Sequence, residues 1–83
     1  MQLLLLGTAG CHLCELADAI VEHCAQSRGE LTIERIDIAE FVHWQTQYAT
    51  RIPVLYHPET GQDMGWPFDY NDLEQFISEL NHV

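Results

Sequence analysis

An α/β fold, a four-stranded mixed sheet with helices on both faces, is what this sequence predicts, and three observations carry it. Gln2 to Leu6 is a short continuous apolar run, the pattern of a strand buried on both faces. After a loop, apolar residues recur at Leu13, Leu16, Ala17, Ile20, Val21 and Cys24, the spacing of one helix face. Leu31 to Ile38, rich in β-branched residues, then reads as a second strand, so the chain opens β-α-β, a right-handed unit with parallel strands.

The remaining elements follow in order. Gly7 to Gly10 is loop, and the first helix ends near Arg28-Gly29, where glycine is expected to supply a left-handed cap. The alternation of the second strand breaks around Arg35-Ile36, which leaves its faces unassigned. Glu40 to Tyr48 forms a short helix with Phe41, Trp44 and Tyr48 on one face. Ile52 to His57 is a strand entered through proline, followed by the turn cluster HPETG and a fourth strand from Gln62, ended by Pro67. Asn71 is expected to cap the last helix with Glu74 three residues on, and Leu73, Phe76, Ile77 and Leu80 form its apolar stripe. The short turn between the last two strands demands an antiparallel hairpin. The order is therefore β-α-β-α-β-β-α.

At 83 residues the chain is expected to be one domain, residues 1–83, with no room for a second core. Three cysteines are too few and too oddly numbered for a secreted disulfide scaffold, and an unpaired thiol fits a reducing cytosol. The Met1-Gln2-Leu3 start has no basic region of a signal peptide, and nothing approaches the roughly 18 consecutive apolar residues of a membrane span. A cytoplasmic protein with no membrane attachment is the expectation. Thirteen acidic residues face three arginines and no lysine, a formal net charge of −10. Such a surface repels phosphate backbones, which argues against nucleic acid and for neutral or basic partners. It is equally a device for keeping a small protein soluble.

The chemistry is concentrated in GTAGCHLC, which sets Cys11 and Cys14 one helical turn apart directly after the first strand. Three readings compete: a redox pair, two ligands of a metal site, or packing residues at a helix start. A dithiol site needs one exposed thiolate to attack a disulfide and a second thiol to resolve the mixed disulfide. At a helix start Cys11 would meet unpaired N–H groups and the positive end of the helix dipole, which stabilise its thiolate. Cys11 is thus the expected nucleophile and Cys14 the expected resolving thiol. His23 and Cys24 could add metal ligands, but ten residues of helix hold them roughly 15 Å from the pair, beyond the reach of one ion.

Element order, the position of C-x-x-C and the downstream Ile52-Pro53-Val54 together resemble a thioredoxin-fold protein. LLLLGTAGCHLC at the start and IPVLYHPETGQDMGWPFD at the close look like the small glutaredoxin-like bacterial proteins, over roughly Gln2 to Leu80. The resemblance implies a thiol-disulfide oxidoreductase acting on a protein or low-molecular-weight disulfide, a monomer, with no metal or organic cofactor required and glutathione a candidate reductant. It also implies a cis Ile52-Pro53 bond lying against the cysteines; on sequence alone, a trans proline starting an edge strand is the simpler reading. The chain departs from the family pattern. His12-Leu13 stands where proline and tyrosine usually lie between the cysteines, and Thr8-Ala9-Gly10 stands where a lysine usually precedes them. Gly65-Trp66-Pro67 replaces the usual glycine pair, so the standard glutathione grip is missing, and Arg51 is the one cation near the expected glutathione carboxylates.

His12, Leu13, Arg51, Ile52, Pro53 and Trp66 are the expected substrate-contacting residues. For His12 two readings stay open, an imidazolium that stabilises the Cys11 thiolate or a solvated side chain. Trp66, like Trp44, Tyr48 and Phe68, has a core reading beside the contact one. Cys24 is expected to be a buried, inert thiol and Asp18 a surface residue; His43, His57 and His82 carry no signal of their own. The competing function is a binding module that docks a partner or accepts a metal through its thiols without turnover.

Overall fold

The computed structural model describes residues 1–81; His82 lies outside them. Four strands, β1 (Gln2–Gly7), β2 (Thr32–Asp37), β3 (Val54–Tyr56) and β4 (Asp63–Gly65), form one sheet in the order β2-β1-β3-β4. β1 runs parallel to β2 and antiparallel to β3, and β3 and β4 make the expected hairpin. Three helices, α1 (His12–Ser27), α2 (Val42–Tyr48) and α3 (Tyr70–Leu80), complete the described residues, with a 3-10 turn at Ile38–Glu40 before α2. This is the thioredoxin fold.

Strand alternation divides the core in two. Leu3, Leu5 and Leu55 pack with Ala17, Val21 and Cys24 of α1 and Leu73, Ile77 and Leu80 of α3. Leu6 and Val54 pack on the other face with Ile38 and Tyr48. β1 therefore has apolar neighbours on both faces, as a central strand must. Each buried Leu or Val contributes on the order of 1.5–3 kcal/mol, enough to hold helices that would be marginal alone.

Several local expectations are corrected. The inward stripe of α1 runs through Cys14, Ala17, Val21 and Cys24, so Leu13 and Leu16 turn outward and are 45% and 44% exposed. A helix advances about 100° per residue, and placing Cys14 against β1 rotates Leu16 to the far side. Gly29 is not the left-handed cap; Arg28, in extended backbone, caps α1, and the positive-φ glycines are Gly10 and Gly61. β2 is an edge strand: Ile33 packs with the α1 face while Arg35, two residues on, is held there by ion pairs to Asp18 and Glu22 of α1. That charge on an inward parity is what breaks the alternation. Phe41 is 41% exposed and precedes α2, leaving Trp44 and Tyr48 to pack inward.

The cap of α3 also differs from expectation. Asp69, not Asn71, is the N-cap: its carboxylate accepts from the Asp72 N–H at 2.8 Å, and Asp72 accepts from the Asp69 N–H at 3.0 Å. Glu74 is freed to bind Arg28 at the end of α1. Phe76 is half-buried, and Leu73, Ile77 and Leu80 form the inner stripe.

Candidate active site

The site is built at the end of β1. Gly7 closes the strand, Gly10 takes φ +78°, a left-handed conformation suited to glycine, and the chain turns into α1. Cys11 is the N-cap, with φ −90° and ψ 108°, and its sulfur accepts a hydrogen bond from the Cys14 N–H at 3.1 Å. Cys11 and Cys14 are joined as a disulfide with their Cα atoms 5.2 Å apart. Once the bond is reduced, the same N–H and the unpaired donors of the first turn would stabilise a thiolate on Cys11.

Cys14 packs against the strand itself. A Cβ placed on Gly7 would meet the Cys14 sulfur at 3.0 Å and its Cβ at 3.3 Å, so the absent side chain makes room for the second cysteine. Gly7 was not among the expected site residues. Its signal was a glycine closing an apolar strand four residues before the first cysteine.

A groove of about 550 Å³ opens beside the pair, on the β2 side of β1. Both cysteines border it, with Glu15, Asp18, Arg35 and Asp37 as its charged lining. Arg35 donates through Nε to Asp18 and through Nη2 to Glu22, the latter at 2.7 Å. These residues share the groove because β2 lies parallel to β1, with Gly7 opposite Asp37 and Leu5 opposite Arg35. No sequence pattern joined them, since the pairing is long-range.

The other expected contact residues lie on the opposite side, where β3 pairs with β1. Leu6 pairs with Val54, which places Pro53 one step on, toward the Gly7 end of β1. The Ile52–Pro53 and Trp66–Pro67 bonds are cis. Pro53 is fully buried, Ile52 and Trp66 are half-buried, and Trp66 donates its N–H to the Pro53 carbonyl at 3.0 Å. Arg51 is exposed but engaged: it binds Asp63 at 3.3 Å and its guanidinium lies 5.1 Å from the centre of the Tyr48 ring. Tyr48 in turn donates to Asp63 at 2.7 Å, and burial followed by that carboxylate pushes its hydroxyl up to about 12. His12 and Leu13, between the two cysteines in the chain, are exposed.

Cys24 lies fully buried in the core, on the same stripe as Cys14 but nearly three turns further along α1. Burial, reinforced by the Glu74 carboxylate 3.5 Å away, pushes its thiol up to about 11, which keeps it protonated and inert at neutral pH. Among the described residues, no three His, Cys, Asp or Glu side chains are grouped as a metal site. No helix there is long and apolar enough to cross a membrane.

Comparison with known proteins matches this architecture. The model of the Glutaredoxin-like domain (DUF836) matches residues 2–78. The X-ray structure of target protein XcR50 from X. campestris is similar at 32% identity and TM-score 0.74, covering 93% of this chain and 96% of its own. The solution structure of the same target gives 33% identity and TM-score 0.72, with 95% of each chain covered. Among curated proteins no match was found. With the family model spanning nearly the whole chain and the cysteine pair at the cap of its first helix, the chain belongs to the glutaredoxin-like domain family.

Proposed function

We propose that the protein is a thiol-disulfide oxidoreductase working through Cys11 and Cys14. The observation that carries this reading is the Cys14 N–H donating to the Cys11 sulfur at a helix cap, with the two sulfurs close enough to bond. In the dithiol form, the Cys11 thiolate attacks one sulfur of a substrate disulfide. A mixed disulfide forms and the other substrate sulfur leaves as a thiolate, which takes up a proton. Cys14, giving up its proton, then attacks the Cys11 sulfur, forms the Cys11–Cys14 bond and releases the second substrate thiol. Two electrons and two protons pass to the substrate, and an external thiol restores the dithiol.

The substrate is a protein or low-molecular-weight disulfide. His12 and Leu13, exposed and between the two cysteines in the chain, contact it directly, with Arg51, Ile52 and Trp66 on the β3 side and Pro53 backing that wall from within. The protein acts as a monomer in the reducing cytoplasm, without a metal or organic cofactor of its own.

The reading is tested by reduction of hydroxyethyl disulfide with dithiothreitol as electron donor. Cys11→Ser is expected to abolish the catalysed rate. Cys14→Ser is expected to accumulate a mixed disulfide on Cys11, visible as a mass increase reversed by reductant. Equal rates for wild type and Cys11→Ser would leave the cysteines without a catalytic role and favour a binding module instead.

A further inference from the structure

We propose that the disulfide reduced by this pair is carried on a neutral-to-basic polypeptide segment, and that disulfides of anionic thiols, such as oxidised glutathione, are disfavoured substrates. This rests on the oxidoreductase reading above and names the substrate class of the same site.

The groove beside the sulfurs is the first ground. Its charged lining is three carboxylates, Glu15, Asp18 and Asp37, against the single guanidinium of Arg35. That guanidinium is held between Asp18 and Glu22, so it offers little charge to a ligand. A polypeptide long enough to span the pair, with one flank on the β3 side, carries its other flank past Glu15, an exposed residue in the first turn of α1.

The cations are the second ground. The chain has three arginines and no lysine, and each arginine is paired with a carboxylate: Arg28 with Glu74 and Glu30, Arg35 with Asp18 and Glu22, Arg51 with Asp63. Glutathione brings two carboxylates and one ammonium, and no side-chain guanidinium here is left uncommitted to receive them. Arg51, the nearest candidate by sequence, already shares Asp63 with Tyr48.

Scale and shape agree. A net charge of −10 on so small a chain attracts cationic partners from a distance and repels anionic ones. The groove is lined from β1, β2 and α1, with Leu5, Ala9 and Ile36 as its apolar lining, and Leu13, 45% exposed, lies between the two cysteines in the chain. A groove built from three elements, with apolar and acidic lining side by side, suits a polypeptide better than a small thiol.

The test uses three disulfide-closed peptides identical except for the residues flanking each cysteine, which are lysine, serine or glutamate, together with oxidised glutathione. Turnover is measured at pH 8, above the ordinary histidine range, with dithiothreitol as donor. Each rate is divided by the rate with dithiothreitol alone, which removes differences in intrinsic reactivity. The expected order in kcat/KM is lysine, serine, glutamate, with oxidised glutathione no better than the glutamate peptide. The spread between the lysine and glutamate peptides should be about tenfold or more at low salt and shrink toward unity near 1 M salt. Glu15→Gln should narrow that spread and Glu15→Lys narrow it further. Equal rates across the charge series, or a preference for the glutamate peptide or oxidised glutathione, would overturn the inference while leaving the oxidoreductase reading intact. Failure to turn over any of the four substrates would overturn the oxidoreductase reading, and the inference with it.

Discussion

Gly7 decides how close the second cysteine can come to the sheet. Its missing side chain leaves the Cys14 sulfur in the position a methyl group would crowd, while Cys11 caps the helix and accepts from the Cys14 N–H. The two cysteines therefore occupy different settings although they are three residues apart: Cys11 among helix-end donors, Cys14 against β1. Gly7→Ala would push the new Cβ into Cys14, which is tethered both by α1 and by its bond to Cys11. The expected cost is about 1–3 kcal/mol, the usual range for overpacking, read from urea unfolding of the oxidised protein. An unchanged midpoint would mean that α1 yields without strain and that Gly7 does not set the position of the pair.

At the scale of elements, α3 shows how a helix start is chosen among competing signals. Asn71 with Glu74 and Asp69 with Asp72 both have capping-box spacing. The second is used because it adds two residues to the helix and places Phe68 and Leu73, at the positions flanking the cap, in one core cluster. It also leaves Glu74 to pair with Arg28. Asp69→Ala is expected to lower stability by about 1 kcal/mol, since the Asp72 N–H loses its acceptor. Asn71→Ala, at an exposed position inside the first turn, should stay within about 0.5 kcal/mol. Parallel urea titrations distinguish the two, and a larger loss at Asn71 would contradict the observed cap.

Across the whole molecule, the Arg28–Glu74 pair ties the end of α1 to α3 beside the buried Cys24. Hydrogen bonds from Arg28 hold the Glu74 carboxyl down to about 2, from an ordinary value of 4.5. A carboxyl with a depressed folded-state value contributes stability that is present above its ordinary value and lost as pH falls toward the folded one. Wild type should therefore be more stable than Glu74→Gln at pH 6, and the gap should close between about pH 4.5 and pH 2. Thermal melts of both proteins across that range check it; a gap that does not change with pH would show that the pair acts through packing alone.

The element order, the parallel β-α-β opening, the closing hairpin and the location of Cys11 and Cys14 at a helix start are all legible in the chain before it folds. These depend on local signals: apolar periodicity, turn residues and the one-turn spacing of the cysteines. The same signals marked Cys24 as a core residue, and it is fully buried. Which side of α1 faces inward is set by long-range packing, because Leu13 and Cys14 fit a helical stripe almost equally until the contact with Gly7 selects Cys14. Such packing also decides that Arg35 lies against α1, that Arg51 is committed to Asp63, and that Glu15, Asp18 and Asp37 share a groove with the sulfurs. Each of these joins residues distant in sequence, and such pairings exist only once the β2-β1-β3-β4 register has brought the strand ends together.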